Sequence, residues 1–258
     1  MIGRVKPRIA ATVLSLLLSV HSGIAAAQEH SPLSYANMPP GWVWPPSKAM
    51  LHSGERCLAE LAATGTEAQV VARVVGKIAT PVVVPSMTFG GIRVRPVHRG
   101  RLPVMDCHMA LSLVREGPVL AAAGIRALIV GRFHSDRRAR LGGRSLNIMS
   151  RHALGLGVDI LGFKTRDGQR LTVEQHYRHP VVQAVEAALN AHGAFRATIT
   201  PGNDRAHRNH FHLSAKMTID ESHPDETTSV AQLLEAVRPK RRARKPGRRA
   251  LRKRKSRA

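Results

Sequence analysis

Aromatic residues are scarce in this chain: of 258 residues, five are Phe, two are Tyr and two are Trp. Hydrophobic residues still make up 43% of the sequence, which is typical of a globular protein. The predicted core therefore consists mainly of Val, Leu, Ile and Ala. The length is sufficient for one domain with a hydrophobic core and flanking tails. The sequence has no internal repeat, so a repeat protein is not predicted.

Cysteine is also scarce, since Cys57 and Cys107 are the only two in the sequence. Neither lies in a C-x-x-C pair, which argues against a thiolate metal site. In an exported protein they would form a disulfide that closes a loop of about 50 residues and contributes about 4 kcal/mol. The alternative is a pair of buried free thiols.

Acidic residues number 17 against 40 Lys and Arg, which gives a formal net charge of +23. Thirteen basic residues lie in the last 21 positions, from Arg238 onward, without an acid among them. The first 27 residues add three basic residues, so the middle 210 keep a net charge of only +7. The tail cannot bury a core and is predicted to be disordered.

This basic tail predicts anionic partners. Anionic envelope polymers or lipid headgroups suit an exported protein. Nucleic acid is not expected, because the tail lacks interleaved aromatic residues on which bases could stack. The alternative is a solvated tail that has no specific partner.

Long hydrophobic runs are missing apart from Ile9 to Val20, which is too short to span a bilayer comfortably. This run follows three basic residues and precedes an A-x-A cleavage site at residues 25–27, so residues 1–27 are predicted to be a secretory signal peptide. This segment has no twin arginine, and no Cys lies near the cleavage site, so neither twin-arginine export nor lipoprotein anchoring is predicted. We therefore expect a periplasmic or secreted protein without a transmembrane segment in the mature chain; the alternative is an uncleaved anchor.

The remaining chain predicts one α+β domain. Residues 28–50 contain five prolines and both tryptophans, and are predicted to form an extended lead-in to a domain at residues 51–220. The first elements predicted in chain order are a helix at 54–62, a strand at 70–85 broken at Pro81, a strand at 92–97, and a helix at 105–113 interrupted at Gly117-Pro118. A strand at 126–133 and a loop at 134–151 follow. The last predicted elements are a hairpin of 157–165 and 170–177 around Asp167-Gly168, a helix at 180–190, and strands at 196–200 and 210–215. This irregular order favours an antiparallel sheet with flanking helices.

Fourteen histidines are many for this length, and they include two notable groups. The groups are Ser150-Arg151-His152-Ala153-Leu154-Gly155-Leu156-Gly157-Val158-Asp159 and His207-Arg208-Asn209-His210-Phe211-His212. Asp159 points to the opposite face of its predicted strand from its two neighbours, whereas His210 and His212 share one face of theirs. Imidazoles and a carboxylate on neighbouring strands would form a three-ligand metal set.

A three-ligand set leaves one position open for water, which is typical of a catalytic zinc site. Mixed nitrogen and oxygen donors suit zinc, and the scarcity of further carboxylates argues against calcium. A non-haem iron site is the alternative reading of two histidines and one carboxylate, but the H-x-D pair usual there is absent.

Residues 150–159 resemble the SxHxxGxAxD motif of the D-Ala-D-Ala carboxypeptidase group of zinc peptidases. This group also includes murein endopeptidases and the zinc-bearing hedgehog signalling domain. All motif positions match except Gly157, where the group has Ala. The stretches 149–173 and 206–213, with Cys57 and Cys107, resemble one branch in particular, the bacterial extensin-like C-terminal domain family. The resemblance covers residues 50–215 and implies a hedgehog- or D-Ala-D-Ala-peptidase-like α+β fold.

The resemblance implies a role for each of these polar residues. His152, Asp159 and His212 would be the zinc ligands, His210 the catalytic acid or base, and His207 a second catalytic partner. Carboxypeptidase members place a Glu just upstream of the last ligand. The nearest acid here is Asp204, whereas the endopeptidase branch uses histidines at these places.

Two further residue types have expected roles beside the metal. An upstream arginine binds substrate in this group, and Arg137 or Arg138 would serve here. Ser150 is expected to support the loop rather than to act as a nucleophile.

The resemblance implies a zinc-dependent peptidase that hydrolyses peptide bonds of peptidoglycan or a related envelope substrate. The alternative is a non-catalytic, zinc-stabilised domain that binds envelope material, because the hedgehog branch uses this scaffold for recognition.

Overall fold

The computed structural model describes residues 38–98, 100–134, 138–141 and 144–219, with backbone alone for 138–141 and 144–148. The predicted signal peptide at residues 1–27 and the predicted basic tail at 238–258 lie outside the described residues.

The described residues combine helices with short strands, which confirms the α+β class. The helices are α1 Lys48–Ala63, α2 Cys107–Ala122, α3 Val173–His176 and α4 Pro180–His192. The strands are β1 Gln69–Val70, β2 Pro81–Val83, β3 Thr88–Phe89, β4 Ile92–Pro96, β5 Met105–Asp106, β6 Ile125–Val130, β7 Arg138–Leu141, β8 Arg144–Met149, β9 Gly157–Thr165, β10 Arg170–Thr172, β11 Phe195–Ile199 and β12 Phe211–Ala215. Two short 3-10 helices, Arg151–Leu154 and Arg205–His207, precede β9 and β12.

A seven-stranded sheet positions the site. Its order is β11-β12-β9-β6-β4-β3, with β10 also pairing with β9. All its pairs are antiparallel except β4 with β6. In the pairing of β9 with β12, Asp159 lies opposite His212. Val158 and Ile160 are completely buried, which confirms that Asp159 points to the other face.

The smaller β elements lie outside this sheet. Strands β1, β2 and β5 form a three-stranded sheet in the order β1-β2-β5. Strands β7 and β8 form a separate antiparallel hairpin.

The core is mainly aliphatic, as predicted from the composition. Helix α2 contacts β3, β4, β6 and β12, and also packs against α1 and α4. All five phenylalanines are nevertheless buried: Phe89, Phe133, Phe163, Phe195 and Phe211. Phe163 and Phe211 meet edge-on with their ring centroids 5.6 Å apart, so the phenylalanines are concentrated in the core.

Helix α1 begins at Lys48, inside the predicted lead-in, rather than at Gly54. The Ser47 hydroxyl accepts a hydrogen bond from the Met50 N–H at 3.3 Å, which caps the first turn. A Ser directly after two prolines was the signal for this earlier start.

A disulfide joins Cys57 of α1 to Cys107 of α2, with their Cα atoms 6.1 Å apart. It confirms the predicted pairing and excludes free thiols. The bond fits an extracytoplasmic compartment. Among the described residues, the helices are too short or too polar to cross a membrane.

The predicted break at Gly117-Pro118 is wrong, because α2 continues through Pro118 to Ala122. Pro118 offers no N–H to the Val114 carbonyl, a loss that usually ends a helix. Leu113 and Leu120, on either side of the proline, are almost completely buried. Their tertiary packing outweighs the local cost and keeps the helix continuous.

Three strand or loop predictions also change. The predicted strand at 70–85 is instead β1 and β2, which pair antiparallel with Gln69 opposite Val83, so Pro81 opens a strand rather than breaking one. The predicted loop at 134–151 contains the β7–β8 hairpin, which the Gly142-Gly143 dipeptide could have indicated. The predicted strand at 170–177 ends at Thr172 and continues as α3, where the Thr172 N–H bonds to the ring of His176.

The hairpin around Asp167-Gly168 is confirmed by the pairing of β9 with β10. Helix α4 is confirmed too, with Pro180 in its first turn and Gly193 at its end in the left-handed conformation.

Candidate metal centre

The short helix Arg151–Leu154 places His152 against the sheet. The Ser150 hydroxyl accepts a hydrogen bond from the His152 N–H at 3.2 Å, which confirms its supporting role. Gly155 ends the turn with a φ of 66°, and its carbonyl accepts the Asp106 N–H at 3.1 Å. The turn is therefore fixed at both ends, by its own cap and by the start of α2.

The sheet supplies the other two groups. Asp159 and His212 are opposite each other on β9 and β12, so both side chains project from the same face. The His212 ring also contacts the Ser214 hydroxyl through Nε2 at 3.2 Å. When Nε2 donates this hydrogen bond, the lone pair of Nδ1 is directed at Asp159 and His152.

Three donor atoms from these residues form a nearly equilateral triangle. His152 Nε2 lies 3.1 Å from Asp159 Oδ1 and 3.1 Å from His212 Nδ1. His212 Nδ1 lies 3.0 Å from Asp159 Oδ1. Each N–H points along one direction, so hydrogen bonds cannot occupy all three sides at once.

The triangle fits a metal ion. A tetrahedral ion with bonds of about 2.0–2.1 Å separates its ligand atoms by about 3.3 Å. Two imidazole nitrogens and one carboxylate oxygen are ligands for divalent transition metals. His152, Asp159 and His212 could therefore hold a metal ion together.

Their protonation states suit a metal. Burial lowers the pKa of His212 to about 4, although the Asp159 carboxylate opposes this shift. Burial alone would raise the pKa of Asp159, but the close contacts of its carboxylate with the His152 and His212 rings hold that pKa well below its usual range. At neutral pH, Asp159 is an anion and His212 is neutral, so both present lone pairs.

Two more histidines lie beside the triangle. His210 Nε2 lies 3.6 Å from Asp159 Oδ1, and its Nδ1 lies 2.9 Å from the Asn209 side-chain oxygen. Since that amide oxygen accepts a hydrogen bond, Nδ1 donates and Nε2 faces the site. Burial lowers the pKa of His210, so this Nε2 can accept a proton at neutral pH.

Asp204 orients the second of these histidines. Both oxygens of the Asp204 carboxylate lie 2.8 Å from His207 Nδ1. The same carboxylate accepts the backbone N–H groups of Ala206 and His207, which caps the short helix Arg205–His207. The His207 ring is centred 4.9 Å from the His210 ring and 5.8 Å from the His212 ring.

The structure thus brings together five predicted site residues: His152, Asp159, His207, His210 and His212. Arg137 lies outside the described residues, and Arg138 begins β7 with only its backbone described. The predicted role of these arginines stays a prediction.

Sequence reasoning missed two contributors. One is Asp204 as the partner of His207, which a D-x-x-H spacing at a helix start could have indicated. The other is Arg151, which is 2% exposed. No atom of the described residues hydrogen-bonds its guanidinium. Burial, with a smaller contribution from Arg196, lowers the pKa of Arg151 to about 9.

Comparison with known proteins identifies a family. No curated protein and no solved structure matches the chain. The family model described as extensin-like protein C-terminus matches residues 55–223, which confirms the resemblance carried by the two histidine groups. The chain therefore belongs to the extensin-like C-terminal family.

Proposed function

We propose that this protein is a zinc-dependent peptidase that hydrolyses peptide bonds of peptidoglycan or a related envelope substrate. The observation that carries the proposal is the triangle of His152 Nε2, Asp159 Oδ1 and His212 Nδ1, with all sides between 3.0 and 3.1 Å. Three protein ligands leave an open position for water or substrate. We also propose that the sheet has the arrangement found in the hedgehog domain and in D-Ala-D-Ala peptidases.

The proposed compartment is the periplasm or the cell exterior. The Cys57–Cys107 disulfide supports this placement, because such bonds persist in oxidising compartments. Export through the predicted signal peptide would bring the chain to its substrate.

Zinc held by the triangle would polarise a water molecule and a substrate carbonyl. We expect His210 to pass a proton to the leaving amine. The position of its Nε2, 3.6 Å from Asp159 Oδ1, and the contact of its Nδ1 with Asn209 support this role. His207, held by Asp204, is the second group of this kind on the same side. A carboxylate base is not required in this arrangement, because imidazoles serve in general acid–base catalysis near neutral pH.

The first experiment measures metal content. Elemental analysis of the purified chain is expected to find about one zinc per molecule. His212→Ala and Asp159→Ala should lose it, because each removes one corner of the triangle. His98→Ala, which removes an exposed histidine, is the matched control and should keep the zinc. Wild-type metal content in either ligand variant would remove that residue from the site.

The second experiment measures turnover. Peptidoglycan is digested with the zinc-loaded chain, and released fragments are identified by mass spectrometry. His210→Ala should keep its zinc and lose about 100-fold or more in rate, which is the usual contribution of a general acid or base. Full activity in that variant would contradict the role of His210.

The same digest separates enzyme from binding domain. Binding of peptidoglycan by a zinc-loaded chain that leaves every bond intact would replace the peptidase with the non-catalytic, zinc-stabilised alternative.

A further inference from the structure

Asp106, which caps helix α2, is a completely buried acid. Its Oδ1 accepts the backbone N–H of His108 at 3.0 Å and lies 2.7 Å from Nδ1 of the His108 ring. Its Oδ2 accepts the Thr80 N–H at 3.0 Å. A buried carboxylate is strongly destabilising unless donors surround it in this way. These contacts therefore fix the backbone where α2 begins.

That backbone holds the turn of His152. The Asp106 N–H bonds to the Gly155 carbonyl at 3.1 Å, and Gly155 ends the short helix that carries His152. The N–H of the neighbouring Cys107 bonds to the Thr80 carbonyl at 2.9 Å. A shift at the start of α2 would therefore move the turn that carries His152.

A second line of contacts runs from His108 to the chain that follows β12. His108 Nε2 lies 3.1 Å from the Ser53 hydroxyl of α1, and that hydroxyl donates to the Thr218 carbonyl at 2.6 Å. Because a hydroxyl has a single proton, Nε2 must donate to Ser53. Both side chains are buried, so water does not compete for these bonds. Thr218 follows β12, the strand of His212.

The same three side chains have the spacing of a catalytic triad. A catalytic serine must reach a substrate carbonyl, whereas Ser53 lies within α1 and is only 3% exposed. Its proton already bonds to the main chain at Thr218. The contacts therefore indicate that Asp106, His108 and Ser53 hold the fold together rather than act on a substrate.

We propose that Asp106 is a positioning residue for the candidate metal centre and acts by two routes. One route is the bond from its N–H to the turn that carries His152. The other passes through His108 and Ser53 to the chain after β12, and so holds the strand that carries His212. This inference rests on the metal-binding part of the proposed function, and it assigns no contact between Asp106 and a metal or a substrate.

The first measurement is the affinity of the full chain for Co2+, whose visible absorption depends on the geometry of its ligands. Asp106→Asn should bind Co2+ at least about ten times more weakly than wild type, the usual loss when a residue that supports a metal ligand is changed. The absorption spectrum should change as well. Ser53→Ala should lose less affinity, because it keeps the bond to Gly155.

The second measurement needs no metal. NMR of the metal-free chain reports the ring signals of His152 and His212. Asp106→Asn should shift the signals of both rings, whereas Ser53→Ala should shift those of His212 more than those of His152. Absence of metal binding in the wild-type chain would contradict the proposed function, and the ring signals would still test the positioning role.

Leu189→Ala is the control for lost stability, because it removes a buried side chain of α4 that takes no part in these contacts. It should lower Tm and keep wild-type Co2+ affinity and ring signals, measured at a temperature where every chain is folded. Equal changes in Leu189→Ala and Asp106→Asn would overturn the proposal.

Wild-type affinity and ring signals in Asp106→Asn, with a lowered Tm, would show that Asp106 stabilises the fold alone and would also overturn the proposal. Ser53→Ala deletes only a hydroxyl, so it decides the question if Asp106→Asn does not fold. Wild-type affinity and ring signals in Ser53→Ala would then overturn the proposal.

Discussion

At the scale of single residues, two glycines explain how His152 reaches the sheet. Gly155 has a φ of 66°, and a Cβ there would lie 2.7 Å from the Asp106 backbone nitrogen. The conformation and the close approach both require glycine. Gly157, where the motif of the peptidase group has Ala, lies against His152: a Cβ would be 3.1 Å from the ring Cγ. Glycine at 157 therefore lets the ring lie close to β9.

Gly155→Ala is expected to destabilise the protein by about 2 kcal/mol or more, because it adds a backbone clash to an unfavourable φ. Affinity for a metal ion should fall with it, since the turn carries His152. Gly168→Ala is the matched control, because Gly168 has a φ of +96° but open space around its Cβ position. Chemical denaturation and metal titration measure both effects. Equal losses of stability and of metal affinity in the two variants would show that the contact of residue 155 with Asp106 affects neither quantity.

At the scale of elements, strand pairing assembles the candidate metal centre from distant segments. His152 and His212 are 60 residues apart, and their ring centroids lie 4.9 Å from each other. The sequence indicates which strands carry these groups, but their registration depends on the packing of Val158, Ile160 and Phe211 on the other face. A shift of one residue between β9 and β12 would turn one ligand into the core.

The contact between α2 and α4 contains a second buried charge. Glu116 of α2 is completely buried, with Oε2 2.9 Å from His192 Nδ1 of α4. Its Oε1 has no partner among the described residues. Burial raises the pKa of Glu116 above 4.5, although His192 opposes the shift. Folding thus favours the protonated Glu116 carboxyl group. The stability that this protonated group contributes to the folded protein is lost as pH rises through the raised pKa.

Glu116→Gln should therefore gain stability relative to wild type as pH rises from about 5 to about 8. The expected gain at pH 8 is about 1 kcal/mol, because the variant no longer buries a charged carboxylate. Thermal unfolding across this pH range measures the difference. Glu174→Gln, which changes an exposed acid, should show no such trend. A difference between Glu116→Gln and wild type that does not vary with pH would contradict this interpretation.

At the scale of the whole molecule, basic charge is concentrated in the last 21 positions of the sequence. The thirteen basic residues from Arg238 onward account for more than half of the net charge of +23. Each Lys or Arg near an anionic surface contributes about 1 kcal/mol to binding. Such attraction is screened at high salt.

A chain ending at Val237 should bind vesicles of anionic phospholipid at least ten times more weakly than the full chain, in low salt. Co-sedimentation measures this, and 1 M salt should remove the difference. Vesicles of zwitterionic lipid are the control and should bind neither chain. Equal binding of the two chains to anionic vesicles would show that the tail has no such role.

Sequence patterns predicted most of the site because its residues lie in short, distinctive runs. His152 and Asp159 share one run, and His207, His210 and His212 share another. The pairing of Cys57 with Cys107 followed because the chain has only two cysteines. Helix α4 was predictable because its proline, its periodic apolar residues and its terminal glycine are all local signals.

Only the tertiary structure decided the features that depend on distant contacts. Helix α2 continues through Pro118 because its flanking leucines are packed in the core. Arg151 is buried without a hydrogen-bond partner among the described residues because other segments cover it, although an arginine is ordinarily exposed. The sequence by itself determined which side chains could bind a metal, since that depends on their chemistry. Their convergence to 3.1 Å was decided by packing, because it is set by residues far apart in the chain.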